Sequence, residues 1–422
     1  MQEVIPLYCT WDSKHNYMRI LMESSWQSSE VLFHTMQSMA AACLMKSFPE
    51  LGCVAVRERN LALQGFDNGY ASSVWHQQDI NLMSGLLLGH TASWHDPSDL
   101  ELEKFTAMQD TLRNWVPDSK TAVTFRFFKS AVEYWELLLS FFIETCSTTV
   151  DSPGFIGPPQ PCGNLPHPFT GISDDTMSLL ARVGRLIHDH RRKQASSGFI
   201  SEELLDSFRK DIRQARQVER RLLAYKRPKI SEMVDPEDPR TTLAHLSKLD
   251  EAYICSGLLQ LYRVFPDLLS DRYNLWNAVD LYDAPPPCKR PTETERNAWL
   301  TSLAMYTLDL LRDIPFESRT RCVQPFIFVA VAGELRVGTQ AVLSMDADNE
   351  EARFHGNDAI RIAAARNFIS ARLSAYRDVL PLRKVMNISE LVHHTWAALD
   401  SGKKNVYWLD VCVEKRLSTL FG

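Results

Sequence analysis

An all-α fold is expected from three features of this sequence. Apolar residues recur at helical spacing, three and four apart, along almost its whole length. No sustained apolar–polar alternation occurs, nor any Asn-Gly or Asp-Gly hairpin turn between strand-like runs. Glycine is scarce, at 17 of 422 residues, which disfavours turn-rich β folds and glycine-built phosphate cradles.

The elements follow in order. Ser29 to Phe48 places Leu32, Met36, Met39, Ala40, Cys43 and Ser47 on one helical face. Tyr134 to Cys146 is the most apolar stretch, yet Glu136, Ser140 and Glu144 interrupt it. It falls well short of the roughly 20 apolar residues of a membrane span and reads as a helix buried on most sides. Ser173, Asp174 and Asp175 can cap a helix whose stripe is Met177, Leu180, Val183 and Ile187. Ser201, with Glu202 and Glu203 behind it, opens another, with Leu204, Leu205, Phe208, Ile212, Ala215 and Leu222 inside. Thr241 or Thr242 starts a run carrying Leu246, Leu249, Tyr253, Leu258 and Leu261. Thr292 and Glu295 form a capping box for Trp299 to Leu311. Cys322 to Leu343 and Asn349 to Val379 are read as further long helices. Trp396 to Gly422 reads as a helix, a charged Gly-Lys turn and a short helix opening at Trp408 and Asp410.

Proline marks the breaks. Residues 151–168 hold six prolines and read as a loop, separating an N-terminal helical half (1–150) from a C-terminal one (169–422). Further proline-rich loops fall at 225–239 and 284–291. Antiparallel helix pairs stacked in a bundle or solenoid would account for such a succession.

Composition narrows the chemistry. A net charge of −6 predicts a soluble chain with no general affinity for nucleic acid. No two of the nine cysteines lie close enough for C-x-x-C, so a zinc site within one segment is not expected. Most sit in apolar runs, as reduced buried thiols of a nuclear or cytosolic protein would. The opening MQEVIPLYCTWDSKH has neither the basic start nor the apolar run of a signal peptide. Walker, dinucleotide, nucleophile-elbow and H-E-x-x-H motifs are missing. His188 with His190, and His393 with His394, point to different helix faces. The expectation is a non-enzyme with no catalytic residue, cofactor or metal of its own.

Two candidate regions remain. Between Arg182 and Lys229 there are 14 Lys/Arg against 6 Asp/Glu, so Arg213, Arg216 and Arg220 could face an acidic partner. The plainer alternative is a solvated basic face, and no aromatics interleave to stack on bases. The aromatics Tyr134, Trp135, Phe141, Tyr253, Tyr262, Phe326 and Phe328 could wall an apolar ligand cavity. Glu334, in VAVAGELR, could serve it or pair with an arginine. For each aromatic, core packing is the competing reading.

Several segments together resemble one family. YCTWDSKHNYMRILMESSWQSSEVLFHTMQSMAAACL, with its Asn-x-x-Arg turn, is similar to the opening of the regulatory domain of fungal zinc-cluster transcription factors. RFFKSAVEYWELLLSFF, PHPFTGIS, DPRTTLAHLSKLDEAYICSGLLQLYRVFPDLL, RCVQPFIFVAVAGELR and the Trp408–Asp410 ending resemble its later segments, in order. The resemblance implies an all-α module of a nuclear protein that controls RNA polymerase II transcription. Its partners would be a small-molecule effector, co-regulators and a homo- or heterodimer partner. In such factors DNA is bound by a six-cysteine zinc cluster, which these 422 residues do not contain. Zinc and DNA contact would therefore belong to a preceding domain lost by truncation or never present. A stand-alone co-regulator, or a helical domain repurposed to bind or transform an apolar metabolite, are the alternatives. The C-terminal segment is expected to act as a structural lid anchored by Trp396, Trp408 and Leu417.

Overall fold

The computed structural model describes residues 4–71, 78–143, 165–171, 173–196, 198–199, 201–283, 287, 289–337, 350–403 and 405–421. Among the described residues the regular elements are all helical; one isolated bridge joins Asp238 and Thr241. The fold is all-α.

Seven helices form the first half. They are α1 (Tyr17–Ser25), α2 (Glu30–Leu44), α3 (Leu51–Ala71), α4 (Gln78–His90), α5 (Ala92–His95), α6 (Leu102–Asn114) and α7 (Ala122–Leu139). Ser29 caps α2 by accepting the Leu32 N–H at 3.2 Å. The buried face of α2 is Leu32, Thr35, Ser38, Met39, Ala41 and Ala42, rotated from the stripe expected. Thr35 and Ser38 can go inside because they bond backbone carbonyls of Val31 and Ala55. Gly89 lets α4 press onto α7: a Cβ there would overlap the ring of Trp135.

The second half holds α8 (Asp174–Ser196), α9 (Glu202–Ala224), α10 (Leu243–Val264), α11 (Pro266–Ser270), α12 (Glu293–Arg312), α13 (Pro325–Ala332), α14 (Glu350–Tyr376), α15 (Leu382–Asp400) and α16 (Trp408–Lys415). The α8 stripe Met177, Leu180, Val183 and Ile187 is buried as expected. In α9, Leu205 instead lies exposed and Asp211 buried, because His190 and Lys193 of α8 grip that carboxylate at 3.0 and 2.8 Å. Capping boxes close α10 (Thr242 with His245) and α12 (Thr292 with Glu295). The long helix expected from Cys322 is only eight residues. Pro325 fixes its first turn and Gly333 its end, and residues 338–349 lie outside the described ones.

Helix α10 is buried from Leu249 through Tyr262 and packs against α8, α9, α12 and α13. A central helix thus organises the second half. One apolar core runs from Ile5 to Phe421, so the halves 1–150 and 169–422 share it. Each large aliphatic or aromatic side chain buried there contributes about 2 kcal/mol. The proline-rich boundary at 151–164 lies outside the described residues. The C-terminal segment closes over α10: buried Gln260 Oε1 accepts both the Tyr407 hydroxyl (2.6 Å) and Trp408 Nε1 (2.7 Å). Trp396 Nε1 donates to the Ala332 carbonyl at 3.1 Å, and Trp396, Trp408 and Leu417 are all buried.

Candidate functional site

The site begins with how the N-terminal segment is fastened. Asn16 caps α1, accepting from the N–H groups of Met18 (3.0 Å) and Arg19 (3.4 Å), and its amide donates to the Trp11 carbonyl at 3.3 Å. Arg19 grips Asp12 in a two-pronged pair, 2.8 and 2.6 Å. The Asn-x-x-Arg turn therefore fixes residues 11–19 as one rigid corner. From that corner the Asp12 N–H donates to Asp238 Oδ2 at 2.7 Å, and the Thr10 N–H to the Pro168 carbonyl at 2.8 Å. The fully buried Asp238 carboxylate also takes Arg319 Nε at 2.8 Å and the Arg240 N–H at 2.8 Å.

Residues 165–171 form the facing wall. Gly171 has φ +62°, and a Cβ there would sit 2.5 Å from Leu246 Cδ2 and 2.7 Å from Thr10 Oγ1, so only glycine lets the loop lie so close. His167 donates from Nε2 to the Phe127 carbonyl (3.0 Å) and accepts the Phe169 N–H at Nδ1 (3.2 Å). Burial lowers its pKa, so it stays neutral while stacked on Phe127 at 4.9 Å.

Between these walls lies a cavity of about 390 Å³, within the range that holds a small organic ligand. Its lining comes from the N-terminal segment (Trp11, His15, Tyr17), α7 (Arg126, Phe127, Ser130), residues 165–168 with Gly171, Ser173 and Asp174, Arg227 and Met233 after α9, and α10 (Leu246, Ser247, Asp250). Trp11, Leu243 and Leu246, with Leu165 and Met233 against them, form an apolar cluster separate from the main core. The buried Trp11 Nε1 has no hydrogen-bond partner. The Asp250 carboxylate accepts from Thr176 Oγ1 (2.7 Å) and the Tyr225 hydroxyl (3.1 Å), while burial raises its pKa.

The aromatics singled out from sequence lie elsewhere. Trp135, Phe141, Tyr253, Tyr262, Phe326 and Phe328 are fully or almost fully buried and line neither this cavity nor the smaller void. Tyr253 donates to the Val323 carbonyl (2.6 Å), Tyr262 accepts from Arg272 (2.9 Å), and Phe141 packs on Phe326 and Trp408. Tyr134 borders a second void of about 20 Å³ with Tyr8, His90, Cys322 and Lys384. That is water-sized. Burial drives His90 down to about 3 and Lys384 down to about 8, and lifts the Cys322 thiol to about 12. Close packing fills the space around these rings: α10 packs on α13, α7 on α8, and Phe141, just beyond α7, on Phe326. Glu334 pairs with Arg263 of α10, not with its neighbour Arg336, which donates to the Val406 carbonyl.

The basic stretch divides into two sets. Arg185, Arg191, Lys193 and Arg227 are held by Glu136, Asp410, Asp211 and Glu251, so they tie helices together. Arg213 and Arg220 are exposed on α9, and Arg216 reaches Asp271 at 2.7 Å. His188 and His190 bond separate aspartates, and no His/Cys/Asp/Glu group among the described residues could hold a metal. Of the described cysteines, Cys9, Cys255, Cys322 and Cys412 are buried, Cys43 is half-buried and Cys53 exposed. Cys146, Cys162 and Cys288 lie outside the described residues. No described helix is long and apolar enough to cross a membrane.

The fungal specific transcription factor domain, as a family, matches this chain over residues 1–422. No curated protein and no solved structure matches it. The family's role is transcriptional regulation. With the match spanning the whole length, the chain belongs to the fungal-specific transcription factor domain family.

Proposed function

We propose that this domain is the effector-responsive regulatory module of a nuclear fungal factor acting on RNA polymerase II transcription, and that its effector enters the 390 Å³ cavity. The observation that carries this reading is the origin of the walls. They come from the N-terminal segment, α7, the loop before α8, and α10, so one occupant touches both halves of the chain. A ligand that fits one packing of these elements better than another shifts the population by its differential affinity.

Thermal unfolding with a panel of small, largely apolar metabolites tests this, using the wild type and Ser247→Trp. Ser247 is half-buried at the cavity wall, so the indole fills the space while the main core is untouched. At a hundredfold excess over Kd a true ligand stabilises the wild type by about 2.7 kcal/mol. Ser247→Trp should unfold as the ligand-free wild type does and gain nothing from the ligand. A panel that stabilises neither protein, or stabilises both equally, refutes the cavity as the effector site.

A further inference from the structure

The charged groups around the cavity are unevenly compensated. Among the basic side chains, Arg227 is already bonded to Glu251, His15 lies 3.4 Å from Glu237, and Arg126 has an interaction of its own. The carboxylates are different. Asp250, 4 % exposed, accepts from the Thr176 and Tyr225 hydroxyls, and its only cationic neighbour, Arg227, is spent on Glu251 and forms no direct pair with it. Asp174, in the first turn of α8, forms none either. A buried carboxylate without a cation is unfavourable unless something else compensates it. Tyr17 and Phe127 line the same cavity, and aromatic rings attract organic cations.

We infer that the ligand of this cavity is an organic ammonium ion with an apolar or aromatic body, its charged nitrogen set between Asp174 and Asp250 and its body against Tyr17 and Phe127. This rests on the cavity being the effector site. It adds the chemical class: an amine, in preference to a neutral or carboxylate-bearing metabolite of the same shape.

Tryptamine and tryptophol are suitable probes, since they share one skeleton and differ only in ammonium against hydroxyl. Calorimetric titration at pH 7 should give tryptamine the tighter binding by about tenfold, the range of a charge-assisted hydrogen bond over a neutral one. Asp250→Asn should bring the two within about twofold, by loss of tryptamine affinity alone. Asp174→Asn, at a half-buried helix start where folding is not at stake, should narrow the gap in the same direction. Equal binding of both probes to the wild type, or tighter binding of tryptophol, overturns the ammonium inference and leaves the cavity as a ligand site. An undiminished preference in both variants also overturns it. Binding of neither probe at millimolar concentration contradicts the cavity reading together with it.

Discussion

Asp238→Ala is expected to lower the stability of the domain by about 3–5 kcal/mol, the cost of removing one partner from a buried charge network. The carboxylate is fully buried and gathers three donors: Arg319 Nε and the N–H groups of Asp12 and Arg240. Its loss strands the Arg319 guanidinium, whose side chain is only 14 % exposed, and unfastens the Trp11 corner from the 238–241 turn. Two consequences follow from one change. Denaturant unfolding should show the loss of stability, and limited proteolysis should find new cleavage within residues 4–16. Asp235→Ala, exposed in the same loop, should do neither. A loss below about 1 kcal/mol would place Asp238 among ordinary surface ion pairs and remove the fastening role.

Arg263→Met should cost a comparable amount, about 3–5 kcal/mol, because it leaves Glu334 buried without its cation. Arg263 also donates to Asn297 at 3.0 Å, so the change loosens α10 from both α12 and the end of α13. The double variant Arg263→Met/Glu334→Leu should recover much of the loss, since an apolar pair of similar volume leaves no buried charge. Chemical denaturation of the single and double variants measures this directly. Equal destabilisation by both would mean that packing around the methylenes, and not the charge, is what matters there.

The fold was largely legible because its strongest signals are local. The N-caps Ser29, Ser201, Thr242 and Thr292 each accept the N–H they should, and the α8 stripe is buried residue for residue. Where local pattern failed, a tertiary partner decided. Leu205 is left at the surface while Asp211 goes inside, because His190 and Lys193 of α8 meet the carboxylate there. The apolar run after Cys322 ends as a short helix because Pro325 and Gly333 bracket it. The cavity was harder to read. Tyr134, Trp135 and the other core aromatics carry the same composition as a ligand wall, and only three-dimensional packing separates a filled core from a space. The actual lining comes from segments far apart in sequence: the Trp11 corner, the His167 loop and one side of α10. Two of these were visible as motifs, WDSKHN and PHPFTGIS, yet nothing in either shows that they face each other. Gly171 is the one local clue, since a glycine at φ +62° between two apolar stretches marks a close approach.

Under the proposed function, occupancy of this cavity sets the output of the domain. Fusing the chain to an unrelated DNA-binding domain in fungal cells, with a reporter gene downstream, tests it most directly. A compound that stabilises the purified wild type should change reporter output several-fold. The Ser247→Trp fusion, present at the same level, should hold one output at every concentration. An unchanged response in Ser247→Trp would contradict the account, because the signal would then be reaching transcription without passing through the cavity.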